Sequence, residues 1–448
     1  MTESNFVPKQ PKKASSVRHT RAIQRDRTKR APAAPPDEQV TQRLTELIRP
    51  ATFSTVAFYY DLGLRQRLLT LPIMVALVLT MIWRQVGAVR QLVHLLNTEG
   101  LFWAEPTQVS QQAVSQRLRT LPAELFQHVL LTLLPQLHTR WHSRQRPVPP
   151  EIAWAQAHYT EVLVHDGSTL DALLRQVGLL RDAETNPLAG RMRALLDLCS
   201  RLPKRIWYEA DAQAHDQRFW PQIRSALQAG SLLIFDLGYT NFTVFAQLTH
   251  AQITFLTRAK SNLAYHVERV LRRTAQVHEQ VVWIGRGDER QLVRLIEVLY
   301  QGRWYRYLTN ELDTDRLPTP YAVALYWQRW RIEDAYAIVK RLLGLAYFWV
   351  GSQNGVELQL WATWLLYAVL IDLTDAVAEA LNQPFAALSL EMVYRNLYFF
   401  TTAFQRGEAT DVIQYLAANA KWLGVLKQKR KRRPSPLQLF DLTNSASP

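Results

Sequence analysis

Apolar positions in this chain follow three rhythms. From about residue 38 to 145, Leu, Val and Ile recur at helical spacing among Gln and Arg, so a set of helices is expected there. "RQRPVPPE" (144–151), with its three prolines, reads as a linker. Two uninterrupted apolar runs follow, in "EVLVHDGSTL" (161–170) and "SLLIFDLGYTNF" (231–242), and they run into Asp166 and Asp236. Such a run reads as a buried strand that presents a carboxylate at its end. Between them, "AGRMRALLDLCSRL" (189–202) and "FWPQIRSALQAG" (219–230) are expected as helices. From 253 to about 310 the texture is β-rich: "ITFLTR", "QVVWIG", "QLVRLIEVLY" and "RWYRYLTN", bounded by "GRGDE" and "QG" turns. After Pro384 helices are expected again. The apolar runs at 68–83 and 360–371 fall short of the roughly 20 residues that span a bilayer, so both are expected as buried helices and no membrane partner is expected.

Charge changes this picture only at the ends. Of the net +15 carried by 448 residues, residues 1–30 hold +7 and "KQKRKRR" (427–433) holds +6, leaving +2 for the rest. Two basic tails flanked by Pro and Ser thus bracket a nearly neutral body, and both are expected to be disordered. Such tails suit a polyanion, with nucleic acid the leading partner; an anionic membrane or plain solubility would also account for tails alone. Within the first helical stretch, "QVSQQAVSQRLRTLP" (108–122) resembles the second half of a helix-turn-helix, with Arg117 and Arg119 on a Gln-rich helix, and it also fits an ordinary amphipathic helix. Cys199 is the one cysteine, which excludes intrachain disulfides and any CxxC metal site and points to a reducing compartment. No secretory signal is expected from the Lys-rich N-terminus. Ser/His/Asp, GxxxxGK[ST] and zinc-spaced His patterns are missing, so triad hydrolysis, nucleotide-driven and zinc chemistry lack support.

The most chemically loaded stretch is "YWQRWRIEDAYAIVK" (326–340). Wound at about 100° per residue from Tyr326, Arg329, Glu333 and Lys340 fall within an arc of roughly 60°, with Ile332, Ala335, Ile338, Val339 and Leu342 opposite. The polar stripe is expected to look outward or into a cleft. Phosphodiester chemistry by two metal ions needs carboxylates from separate elements to meet at one point. Asp166 and Asp236 on strand ends and Glu333 on a cationic helix supply such a set, with Arg329 and Lys340 placed to grip phosphates. His165, next to Asp166, is expected to point to the other face of its strand.

Tyr326, Arg329, Glu333 and Lys340 stand as Y-x2-R-x3-E-x6-K, which resembles the YREK motif of the insertion-sequence-four family of bacterial DDE transposases; "VHDGSTL" and "FDLGYTNF" resemble that family's first and second acid blocks. The resemblance covers roughly residues 65–385. It implies an α/β fold with an RNase H-like core interrupted by a β-rich insertion, preceded by a helical DNA-binding region and followed by a helical C-terminal region. The expected divisions are a tail at 1–37, helices at 38–150, core at 151–252, insertion at 253–318, core at 319–385, helices at 386–426 and a tail at 427–448. The implied activity is cut-and-paste transposition: end nicking, hairpin-type second-strand cleavage and strand transfer. Asp166, Asp236 and Glu333 would bind two Mg²⁺ ions, for which Mn²⁺ can substitute. Tyr326 and Arg329 would contact phosphates near the cleaved end, Lys340 the terminal nucleotides, and Trp330 matches a family aromatic. Better-known members stack a flipped base on a tryptophan late in the insertion. The matching position here is Tyr305, beside Trp304, so the choice between the two rings stays open. The implied partners are double-stranded DNA, as terminal inverted repeats and target, and a second copy of the chain in a synaptic complex. The implied location is the bacterial cytoplasm, at the nucleoid. A nuclease that cuts without joining, and a DNA-binding derivative that no longer cuts, are the alternative readings.

Overall fold

The strand runs around Asp166 and Asp236 lie side by side at the centre of one large sheet. In this computed structural model the described residues are 38–61, 68–86, 88–171, 188–211, 216–345, 348–349 and 352–428. The N-terminal tail, and the C-terminal tail from residue 429, lie outside them. Six helices come first: α1 (Glu38–Asp61), α2 (Leu71–Trp83), α3 (Val89–Thr98), α4 (Gln111–Thr120), α5 (Glu124–Ser143) and α6 (Pro150–His158). Strands β1 (Val162–Asp171), β2 (Leu188–Asp197) and β3 (Pro203–Glu209) are followed by α7 (Trp220–Ser225), β4 (Leu232–Phe235), α8 (Phe242–His250) and β5 (Thr254–Arg258). Next come β6 (His266–Arg273), β7 (Val277–Ile284), β8 (Gln291–Tyr300) and β9 (Arg303–Thr309), then α9 (Thr319–Trp327) and α10 (Arg331–Ala337). The chain closes with α11 (Gln353–Ala380), α12 (Leu390–Gln405) and α13 (Val412–Ala418).

The chain is therefore a mixed α/β protein, with nine strands in the order β3-β2-β1-β4-β5-β9-β8-β7-β6. The pairs β1–β4 and β4–β5 are parallel; the others are antiparallel. Because side chains alternate across a sheet, each strand serves two cores. Leu163, Leu233, Phe235, Phe255 and Leu308 pack with Trp220, Phe245 and Leu248 of α7 and α8. Val162, Val164, Leu232, Ile234, Leu256 and Tyr307 join the larger helical core on the other face. The β-rich stretch extends the same sheet: β5 pairs parallel with β4, and β9 returns to pair with β5.

The expected helix at 189–202 is corrected by the structure, in which residues 188–197 form β2. Leu, Met, Ala and Arg are good helix formers, but pairing with β1 on one side and β3 on the other overrides that preference. The strand is legible in hindsight: Met192, Ala194 and Leu196 enter the large core and Leu195 the smaller one. Arg193 is wholly buried, with its guanidinium 3.3 Å from the Phe219 ring centre.

At the middle of the helical core lies α11, apolar on nearly every side and buried from Val356 to Ala378 apart from Glu357. Among the described residues it is the one helix long and apolar enough to cross a membrane, and its most apolar window is fully buried inside the protein. Ser352 caps its start by accepting from the Gly355 N–H at 3.2 Å. Asn354 then ties α4 and α5 to it, donating to the carbonyls of Arg119 and Leu121 and accepting from the Ala123 N–H. At its other end Arg140 of α5 and Arg144 and Arg146 of the expected linker face Asp372, Asp375 and Glu379. The connection before α4 runs from Glu99 to Ser110, longer than the turn of a helix-turn-helix, and Asn97 braces it through both polar atoms of Val109. Arg117 is turned back to donate to the Leu69 carbonyl at 3.1 Å, while Arg119 is exposed.

Candidate active site

The parallel pairing of β1 with β4 sets the first two acids. His165 is in register with Phe235, so Asp166 and Asp236 follow at the next step. Asp236 lies just past the end of β4, but the expected strand-end position of Asp166 is corrected: β1 continues to Asp171 and Asp166 pairs with Ala194 of β2. Adjacent strands lie about 4.8 Å apart. Both acids continue the face that carries Val162, Val164, Leu232 and Ile234. His165 faces the other way, as the alternation predicted, and is buried against Trp207, Trp220 and Tyr239 with Nδ1 3.0 Å from the Ala194 carbonyl.

The 326–340 stretch is not one α-helix. A 3-10 turn at Gln328–Trp330 separates α9 from α10, and a π-helical turn at Ile338–Leu342 follows α10. A uniform 100° winding therefore misplaces the ends of the stripe. Its apolar side behaves as expected, with Ile332, Ala335, Val339 and Leu342 buried. Its polar side does not look simply outward. Tyr326 and Arg329 are turned into the protein, while Glu333 and Trp330 are exposed. Asp166 within β1 and Asp236 just after β4 account for this, since a buried cation needs a counter-charge and they supply it.

Arg329 Nη1 lies 2.8 Å from Asp166 Oδ2 and 3.9 Å from Glu333 Oε1. The Tyr326 hydroxyl donates to Asp236 Oδ1 at 3.2 Å. Three of the four motif residues thus meet the two strand acids. Burial works against the Arg329 cation, yet Tyr326, Asp166, Asp236 and Glu333 outweigh it and raise its pKa. Burial is also the main reason that the Asp166 carboxyl is pushed up to about 7; the Gly167 N–H and Arg329 pull it down, and Glu333 pushes it up further. The Tyr326 hydroxyl is raised by burial and by Asp236, so it stays protonated and donates. Lys340 sits half-buried in the π-helical turn.

Tyr336 is the residue that the sequence reading missed. Its buried hydroxyl donates to the Asp166 carbonyl at 2.6 Å and accepts from the Ala194 N–H at 3.0 Å, pinning α10 to β1 and β2. The available signal was an aromatic one turn after Glu333 on the same helix. Parity along β9 separates the two candidate rings. Tyr305 shares the face of Tyr307, which packs on Tyr326 with ring centres 5.1 Å apart. Trp304 points to the opposite face, 42% exposed and stacked on His278 at 4.5 Å.

A divalent ion of the Mg²⁺ type takes hard oxygen ligands, and the donor set here is of that kind: three carboxylates, one of them with a pKa raised by crowding and burial. Among the described residues, however, no group of three or more His, Cys, Asp or Glu is close enough to hold a metal ion as it stands. Arg329 is bonded to Asp166 Oδ2, while Asp166 Oδ1 accepts from the Gly167 N–H at 2.8 Å.

Comparison with known proteins agrees with this chemistry. Residues 189–369 match the family described as Transposase DDE domain, a stretch that includes Asp236 and Glu333 and begins after Asp166. A protein of Sinorhizobium fredii (strain NBRC 101917 / NGR234) named "Putative transposase y4zB" is 30% identical over 193 residues, which is 40% of this chain and 52% of that one. The chain thus spans about half the length of this curated relative. A solved piggyBac transposase synaptic complex with hairpin DNA covers 90% of this chain and 87% of its own, at 10% identity and a TM-score of 0.39, a likeness too distant to carry an argument. The two sequence matches support a DDE transposase family for the chain.

Proposed function

We propose that the chain is a metal-dependent DDE transposase of the YREK subgroup of the insertion-sequence-four family, which nicks transposon ends, opens the second strand through a hairpin and joins the freed ends to target DNA. The observation that carries this reading is the meeting of Asp166 of β1, Asp236 just after β4, Tyr326 of α9, Arg329 of the 3-10 turn and Glu333 of α10. An RNase H-like core is supported by β1 to β5, in which three antiparallel strands are followed by two added in parallel in the order β3-β2-β1-β4-β5. This reading takes β5 out of the expected insertion at 253–318 and into the core. The β-rich insertion then comprises the strands that β9 leads back to β5.

Asp166, Asp236 and Glu333 would hold two Mg²⁺ ions, which when bound activate the attacking hydroxyl and stabilise the leaving oxygen. The protein's own residues set the geometry. Tyr336 fixes α10 over β1, and with it the distance from Glu333 to Asp166. Arg329 and Tyr326 offer a cation and a hydroxyl to phosphates, Trp330 an exposed ring and Lys340 a further cation to the terminal nucleotides. Tyr305, on the face of the acids, is the better-placed ring for an extruded base, since stacking there leaves the strand next to the metal ions. Partners would be terminal inverted repeats, target DNA and a second copy of the chain, met at the bacterial nucleoid.

The test is purified protein with Mg²⁺ and a plasmid bearing the element's own ends. Excised fragments and joined products support the reading. Cutting without joining would replace it with a nuclease, and binding without cutting with a DNA-binding derivative.

A further inference from the structure

Arg329 stands where a metal ion would compete with it. Its guanidinium is bonded to Asp166 Oδ2 at 2.8 Å and lies 3.9 Å from Glu333 Oε1, within a residue that is 5% exposed. Its Nε is buried without a hydrogen-bond partner. The Trp330 ring, itself 62% exposed, lies 5.0 Å from the guanidinium. An ion bound to Asp166 at the usual 2.0–2.1 Å of Mg²⁺ would sit within about 5 Å of Nη1, where like charges repel.

We propose that Arg329 is a positioning residue that closes the metal site in the DNA-free chain: it neutralises Asp166 until a DNA phosphate draws the guanidinium away, so that divalent cation and phosphate bind cooperatively. The inference rests on the transposase reading above and deepens it. A guanidinium cannot shed its proton, so it can leave the acids only for another anion, and a phosphate oxygen is the anion that this site meets. The same side chain therefore blocks the ion before DNA arrives and grips the strand afterwards. Linkage makes the effect reciprocal: the ion must tighten DNA binding as much as DNA tightens the ion.

The experiment measures binding of Mn²⁺ alone to the full chain, by electron paramagnetic resonance of the free ion at pH 8. A precut duplex of the element's end, which cannot be cleaved again, is then added. Without DNA, Arg329→Ala should bind Mn²⁺ about tenfold more tightly than wild type, and the duplex should tighten wild type about tenfold but the variant by less than about twofold, a coupling of ordinary size. Losing the cation also favours protons on the acids, but a divalent ion feels the loss twice as strongly, so the tightening survives. If Arg329→Ala does not fold, Arg329→Gln, which keeps a donor for Asp166 without the charge, gives the same reading. Equal or weaker Mn²⁺ binding by the variant, or no tightening of wild type by DNA, overturns the proposal. Asp166→Asn separates the two levels. If it leaves Mn²⁺ affinity unchanged, the acids are not the metal site and the transposase reading falls with the inference. If it weakens Mn²⁺ while Arg329→Ala fails to tighten it, the site stands and only the inference is wrong.

Discussion

Two buried ionic clusters join distant parts of this chain, and they are built to opposite rules. At the end of α11, Arg144 bonds Asp372 at 2.6 Å and Asp375 at 3.0 Å, Arg146 bonds Asp375 at 2.5 Å, and Arg140 and Glu379 complete the group. Three arginines there meet three acids, and Asp372 and Asp375 are almost wholly buried. Beside β1, just past the end of β4, three acids surround Arg329. A charge-matched cluster is complete in itself and its office is to hold α11 to the helices before it. An unmatched one is complete only when something else binds. Both are expensive to bury, but only the second leaves its cost to be offset by a ligand.

The comparison can be tested hardest at the acids. Asp166→Asn, Asp236→Asn and Glu333→Gln should each cut end cleavage by about three orders of magnitude or more, the scale of several kcal/mol of metal-supplied stabilisation. In chelator, where the ion cannot contribute, DNA binding should stay within about twofold, as a gel-shift assay would record. Full cleavage by any of the three would remove that residue from the site.

At the matched cluster the loss should be in stability. Arg144→Met leaves Asp372 and Asp375 short of their partner and should cost about 3–5 kcal/mol in urea unfolding. A cost below about 1 kcal/mol would show that the cluster is not the joint described here.

Acidity acts on both clusters, since burial raises the Asp375 carboxyl of the matched one as well. Asp166 has its carboxyl raised from 3.8 to about 7, so the native chain binds more protons than the unfolded one between those values. Stability measured in chelator should therefore fall as pH rises from about 4 to about 7, by at most roughly 4 kcal/mol. Asp166→Asn should flatten that slope. A slope unaffected by the substitution would assign it to another group.

The smallest effect concerns the two rings of β9. Tyr305→Ala should cost about 1–3 kcal/mol of base stacking and stall the reaction after the first nick, whereas Trp304→Ala, on the opposite face, should complete double-strand breaks at the normal rate. The reverse result would show that parity on β9 misassigns the platform.

What could be read from the sequence was local. The acids at 166 and 236 were legible because each closes an apolar run, and such a run is a strand signal on its own. Glu333 was legible from spacing along a helix. The strand at 188–197 was not, because its residues favour a helix and its strand character is imposed by β1 and β3. Nor was the inward turn of Arg329, which depends on an acid 163 residues earlier. The Arg144–Asp372 bond joins residues 228 apart and leaves no local trace. The role of Tyr336 was not legible either, since a hydroxyl shows its partners only once the strands beneath it are placed.

The pairing of β9 with β5 also bears on how this protein could be re-engineered. Strands β6 to β9 form a run that invites removal as a cassette, but β9 supplies the hydrogen-bonding partner for the outer edge of β5. Deleting the whole run would bare that edge two strands from Asp166, and an uncovered central strand is a template for association between chains. Trimming only β6 and β7 would leave β8 as the border and β5 still covered. A minimal version of the protein should therefore be cut back to β8, with charged residues placed on its new outer edge.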